Sequence, residues 1–272
     1  MTLEEVQIAQ ETDDAEGDQA SPFAMDTTSS DLELHTSGGG DGSVGMVFDP
    51  VDVPNSATIT DAKIQFTVDE AFADVALTVT FEIEDIDDAP TFTTTNGDIN
   101  DRTAFGTTVD WVVPHWVNVG DSLAAQLTVD MKVLVQHIVD RGGWNANQAM
   151  CFLIRTQTGS GQRTADAWDG AAPGRAKLVI NYTTVSYKLE GDVRDLSLDT
   201  VGTVRCILLK HDNATEASRI YTIIDHVNAN GSGFYSFTGL IDNDAQYMVI
   251  AYNDEATDRR GVTNDTLVPQ IE

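Results

Sequence analysis

The feature that most constrains this chain is a series of short runs in which apolar and polar residues alternate. In TITDAKIQFTV (58–68), Ile64, Phe66 and Val68 fall on one side and Lys63, Gln65 and Thr67 on the other. VALTVTFEIE (75–84) repeats the pattern with Val75, Leu77, Val79, Phe81 and Ile83. A period of two places one face of a strand in a core and the other in water, which is the mark of half-buried antiparallel strands. DLELHT and SVGMVF read as further strands around a GGGDG turn, and AMCFLIRT and AKLVINY as later ones. Gly, Asn, Asp and Ser punctuate the runs. The sequence therefore predicts a mostly-β protein of packed sheets.

One segment departs from this period. In DMKVLVQHIVDRGG, Met131, Leu134, Val135, Ile138 and Val139 recur at helical spacing. Asp130 is expected as the N-cap, Arg141 suits the C-terminal end, and Gly142 can stop the helix. The 272 residues allow two ordinary domains. The expected division is an acidic N-terminal arm at 1–28, a β-sandwich at 29–184 and a smaller sandwich at 185–272. The arm is polar and poor in aromatics, so alone it cannot offset its ordering entropy, and VQI at 6–8 is its only expected anchor. In the second sandwich, YKLEGDV, TVRCILLKH, SRIYTIIDHV, GFYSFTGL and QYMVIAYN read as strands, and DEATDRRGVTNDTLVPQIE as an irregular return.

Charge excludes some partners. Fifteen basic residues stand against 44 acidic ones, a net charge of −29. Such a surface repels the phosphates of nucleic acids and anionic membranes. No run reaches the length of a membrane span, and the N-terminus has neither the basic nor the apolar region of a signal peptide. The chain is expected to be made and folded in a reducing cytoplasm. Cys151 and Cys206 each lie in an apolar run without metal-ligand spacing around them, and read as buried free thiols.

Several residues could carry chemistry. RTADAWDG (163–170) holds Arg163, Asp166, Trp168 and Asp169. Paired carboxylates could serve acid–base chemistry, but glycoside hydrolysis needs a defined separation and an acid of raised pKa. The structural reading pairs Arg163 with an aspartate and uses Trp168 to cover the sandwich edge. Glu84, Asp85, Asp87 and Asp88, followed by Asp98 and Asp101, crowd carboxylates into two loops. Calcium takes several such oxygens, so Asp85, Asp87, Asp88, Asp98 and Asp101 are the candidate ligands; solvated loops are the alternative. Among the tryptophans, Trp111 and Trp144 read as core or end-cap residues. Trp116 and Trp168 are the candidates for stacking on a sugar ring. The histidines at 35, 115, 137, 211 and 226 show no zinc spacing, and neither a nucleophile elbow nor a phosphate loop is present.

Ordered pieces of the first domain carry a resemblance: VGMVFDPVDVPNSATITDAKIQFTVDE, FEIEDIDDAPTF, VDWVVPHWVNVGD, IVDRGGWNANQAMCFLI and the closing RTADAWDG…AKLVINY. Over residues 43–182 the chain resembles jelly-roll-like bacterial and phage β-sandwich modules related to carbohydrate-binding modules. LEGDVRD, GSGFYSF and QYMVIAYNDE of the second domain resemble carboxypeptidase-regulatory-like, immunoglobulin- or transthyretin-like modules of phage virion proteins. The resemblance implies a jelly-roll-like sandwich with one short helix followed by an Ig-like sandwich. It implies no catalytic residue and no cofactor. It points to a non-enzymatic structural component of a phage particle, a capsid decoration or tail accessory protein present in many copies and contacting other virion proteins. A carbohydrate-binding module for host-surface glycans is the alternative, and a hydrolase a third.

Overall fold

A computed structural model gives the protein over residues 1–19, 23–35, 42–170, 174–184, 187–192, 204–211, 221–229, 234–240, 246–253, 261–267 and 270–271. The chain divides into two compact units, Met1–Thr184 and Val185–Glu272. It is a mostly-β, sandwich-like protein. The glycine-rich turn expected at 38–42 lies largely outside the described residues.

The first unit opens with β1 (Thr2–Gln7), β2 (Asp14–Asp18), β3 (Met25–Asp26) and β4 (Asp31–His35). The strands β5 (Gly42–Val51), β6 (Thr58–Gln65), β7 (Val68–Glu70) and β8 (Leu77–Ile83) follow. Next come the single turn α1 (Asp98–Asp101), β9 (Val109–Val112) and the helix α2 (Lys132–Val139). Three strands close the unit: β10 (Gln148–Gly159), β11 (Arg163–Asp166) and β12 (Lys177–Thr183). A six-stranded sheet has the order β3-β2-β5-β10-β8-β9; two three-stranded sheets run β1-β12-β6 and β4-β11-β7.

Alternation places the core. Val44, Met46 and Phe48 of β5 share one apolar cluster with Ile64, Phe66, Val79 and Phe81. Val47 belongs to a second cluster with Phe92, Ile99 and Cys151. The middle of the large sheet is thus covered on both faces, which explains why its strands read as nearly continuous apolar runs. Gly45 has no side chain because the Phe92 ring occupies the space a Cβ would need. Helix α2 adds Leu134, Val135, Ile138 and Val139 to the main core. Its N-cap is Met131 rather than Asp130. Asp130 still accepts from the Lys132 N–H at 2.9 Å, but it also accepts from Ala62 N–H at 3.0 Å, which ties the helix start to β6.

The N-terminal segment corrects the sequence reading. Residues 1–28 are not a separate arm. β1 pairs antiparallel with β12 from Thr2↔Tyr182 to Gln7↔Lys177, and Val6 and Ile8 join the main core. β2 pairs with β5 from Asp14↔Met46 to Asp18↔Gly42. A segment that joins existing strands needs no core of its own. Its ladder hydrogen bonds, with about 1.5–3 kcal/mol for each buried Val or Ile side chain, offset the entropy of ordering it.

The second unit contains β13 (Tyr187–Asp192), β14 (Val204–His211), β15 (Tyr221–Asn228) and β16 (Phe234–Leu240). It continues with β17 (Gln246–Asn253), β18 (Gly261–Leu267) and β19 (Gln270–Ile271). Two sheets form, β16-β13-β19 and β15-β14-β17-β18. Leu189, Cys206, Leu208, Tyr235, Phe237, Tyr247, Val249 and Ala251 make its core. The stretch read as an irregular return instead supplies β18, which pairs with β17. GVTNDTL is too polar to announce a strand, and it lies at the edge of its sheet.

Candidate functional site

The segment with the densest chemistry, RTADAWDG, is a strand and a turn. β11 lies between β4 and β7, with Asp166 opposite Asp31 and Ala165 opposite Leu32 and Val68. Arg163 is 2% exposed and does not pair with an aspartate. Its guanidinium donates to the carbonyls of Pro114 at 2.7 Å, Gln162 at 2.6 Å and Val75 at 3.3 Å, clamping three stretches of backbone. Burial lowers its pKa from the ordinary arginine value.

Asp166 and Asp169 are not brought together as a carboxylate pair. Asp169 is exposed in the turn, whereas Asp166 is 6% exposed. The partner of Asp166 is Asp69, and burial together with that neighbour raises it to about 6. A carboxyl pair sharing a proton can donate and accept, which is acid–base chemistry in outline. Here Gly174 packs directly on the Asp166 carboxyl, and a side chain at that glycine would collide with it. Asp69 is half-buried, and the pair functions as a contact between β11 and β7.

Neither tryptophan proposed for sugar stacking presents an open ring. Trp116 is fully buried: it lies 6.2 Å from Phe66 and 6.4 Å from Trp111, and its indole donates to Ala125 O at 3.0 Å. The sequence could not show that the segment following β9 folds back along β6, where Phe66 N–H donates to Gln126 O. Trp168 is half-buried, and the Arg175 guanidinium covers its ring at 3.4 Å. Trp111 and Trp144 are core residues, and Trp144 donates to Val53 O at 2.9 Å.

Of the calcium candidates, Asp85, Asp87, Asp88 and Asp98 are engaged by protein groups. Asp85 accepts from His137 at 2.7 Å and is ion-paired with Arg141, which also binds Asp87. The His137 hydrogen bond, with Arg141 beside it, lowers the Asp85 pKa. Asp88 accepts from the Ala149 N–H at 2.9 Å. Asp98 accepts from Thr93 N–H at 2.7 Å and lies 3.4 Å from Arg102. Arg102 also pairs with Glu84 at 2.7 Å and lies over the Phe92 ring. Glu84, Asp85, Asp98, Asp101 and Arg102 line an open depression of about 430 Å³. The carboxylates are spaced around arginines, not converged on a point. Among the described residues no group of three or more His, Cys, Asp or Glu side chains could hold a metal ion. The two loops are arginine-bridged, and the calcium reading gives way to that.

Cys151 and Cys206 are buried free thiols; burial pushes Cys151 up to about 12 and raises Cys206 as well. A thiol so desolvated is a poor nucleophile.

Sequence reasoning missed the most perturbed groups. On β2, Asp14 is buried and Glu16 half-buried, and both carboxyls are raised, to about 7 and about 8, chiefly by desolvation. Asp14 accepts from the Trp168 N–H at 2.8 Å, and Glu16 from the Glu33 N–H. The alternation Asp14, Glu16 around Ala15, with Ala15 in the second apolar cluster, was the available signal.

The fold and its internal polar contacts define a mostly-β, sandwich-like protein of two units. No family model matches the chain, and no curated protein is detectably similar to it. No helix among the described residues is long and apolar enough to cross a membrane.

Proposed function

We propose that this protein is a non-enzymatic structural component of a multi-copy assembly, and that the assembly is a phage particle, as the sequence resemblance implies. One observation carries the reading. The side chains that could have made a catalytic or sugar-binding site are bonded inside the first unit: Arg163 to three carbonyls, Asp166 to Asp69, Trp116 in the core and Trp168 beneath Arg175. What remains for function is outer surface held on stiff sheets. A surface with a net charge of −29 disfavours contact between free copies at low ionic strength and favours docking on a basic partner. Repetition on a symmetric particle makes weak single contacts sufficient. The test is quantitative mass spectrometry of gradient-purified particles. The proposal expects the chain in fixed, multiple copies per particle, and its presence only in the particle-free fraction overturns it.

The alternative reading, a glycan-binding module, is favoured by one residue. Trp168 is the single candidate ring not fully enclosed, and movement of Arg175 would uncover it. A glycan array with the wild type and Trp168→Ala decides it: specific binding lost in the variant supports the alternative, and binding that is absent or unchanged rejects it.

A further inference from the structure

One length of chain, residues 113–131, runs from the end of β9 back along β6, on the side of β6 away from β12. The Gly120 N–H donates to Val68 O at 2.8 Å, Phe66 N–H to Gln126 O at 3.0 Å, Thr128 N–H to Ile64 O at 3.0 Å and Met131 N–H to Ala62 O at 2.7 Å. Val68 back to Ala62 is a run of extended chain about 20 Å long. Along it Trp116, Gln126, Thr128 and Met131 are buried. Val117, Val119, Leu123, Val129 and Val133 instead stand in water, each 40% exposed or more. Val112, 71% exposed, precedes them on β9.

Two features set this strip apart. With Val112 it holds six of the eleven large apolar side chains exposed among the described residues of the first unit, whereas surface apolar residues are ordinarily scattered singly. From Trp111 to Val129, Asp121 is the one Asp, Glu, Lys or Arg, in a chain that is 22% charged. An apolar centre depleted of charge is the composition of a protein–protein interface core. The border of the strip is acidic. Asp110 shares the outer face of β9 with Val112, opposite Thr80 and Thr78 of β8. Asp110 accepts from the Thr80 hydroxyl at 2.7 Å, and Asp121 from the Asn118 amide at 3.0 Å. Among the described residues neither is ion-paired with a Lys or Arg. Lys132, the one cation of the strip, is already matched by Asp130 at 3.5 Å.

We propose that this strip is the face by which the chain docks on a different protein of its assembly, one that brings an apolar ridge flanked by Lys or Arg; this rests on the particle role set out above. Burial of the valines and Leu123 supplies the attraction, and the partner's cations meet Asp110 and Asp121, which have only neutral donors of their own. A second copy of the chain does not fit. In a two-fold contact the same patch meets itself, so Asp110 and Asp121 of each copy would face their counterparts, with a net charge of −29 on both molecules. A sugar does not fit either, because the exposed side chains of the strip are aliphatic and both nearby rings, Trp111 and Trp116, are buried.

The test is the copy number of the full chain in gradient-purified particles assembled with the wild type or with Val119→Asp/Leu123→Asp. The double variant should be incorporated at least about tenfold less, the loss expected when central apolar contacts of an interface are removed. Its urea midpoint should match wild type, since both side chains stand in water. Asp110→Asn/Asp121→Asn keeps the hydrogen-bond acceptors, removes the border charge, and should lower incorporation about threefold or more. A photo-crosslinking residue in place of Leu123 should couple, in the particle, to a segment of another protein that carries Lys or Arg. Wild-type incorporation of Val119→Asp/Leu123→Asp overturns the docking face, and a cross-link to a second copy of this chain overturns the basic partner. Absence of the wild type itself from particles overturns the particle role and the docking face with it, which separates that failure from the other two. Should the double variant fail to fold, the cross-link decides: coupling to a basic segment of another protein supports the proposal, and no coupling to any protein overturns it.

Discussion

Replacement of Trp116 by alanine separates a core residue from a ligand platform. The side chain is fully buried, packs against Phe66 and Trp111, and donates to the Ala125 carbonyl at 3.0 Å. Deleting a buried Trp side chain typically costs about 3–5 kcal/mol through lost transfer energy and the cavity left behind. The orphaned Ala125 carbonyl adds about 1 kcal/mol. Trp116→Ala should therefore lose about 4 kcal/mol or more, a large part of a typical domain's stability. Trp116→Phe, which keeps most of the packing but not the donor, should lose clearly less. Urea unfolding followed by tryptophan fluorescence is the assay. All four tryptophans lie between residues 111 and 168, so the signal reports the first unit alone. A Trp116→Ala protein within 1 kcal/mol of wild type would refute the packing argument and reopen Trp116 as a surface ring.

Two further predictions follow from the same packing and electrostatics. Gly45→Ala should unfold at markedly lower urea, losing about 2 kcal/mol or more, because the Cβ meets the Phe92 ring in a close-packed layer; circular dichroism melting checks it. Asp166→Asn should flatten the stability profile between pH 4 and pH 7. Asp166 is raised to about 6, so its contribution is present at acid pH and lost as pH passes through about 6. The variant should gain about 1–2 kcal/mol over wild type at pH 7, read by urea midpoints.

The sequence made some of this fold legible and concealed the rest for physical reasons. TITDAKIQFTV and VALTVTFEIE announced themselves because a half-buried strand must alternate, and Ile64, Phe66, Val79 and Phe81 lie in the core as that rule requires. Helix α2 was legible from Leu134, Val135, Ile138 and Val139 at helical spacing. β1 and β2 were not, because strands that add to an existing sheet need few apolar residues of their own; Val6, Ile8 and Ala15 were enough. Trp116 follows Pro114 and His115 in a stretch without periodicity, and only the return of the chain along β6 buries it. The partners of Arg163 are backbone carbonyls, which leave no trace in a sequence. For the same reason the carboxylates of the 84–101 loops resembled a cation site until Arg102 and Arg141 were seen between them.

Whether RTADAWDG braces the sandwich is read most directly at Arg163. Urea unfolding of Arg163→Met, which keeps bulk and removes every donor, leaves the carbonyls of Pro114, Gln162 and Val75 without their guanidinium partner. A loss of about 2–4 kcal/mol in the first unit is the predicted result, after crediting the arginine's own desolvation. An Arg163→Met protein of wild-type stability that has lost a measurable ligand or turnover would contradict it.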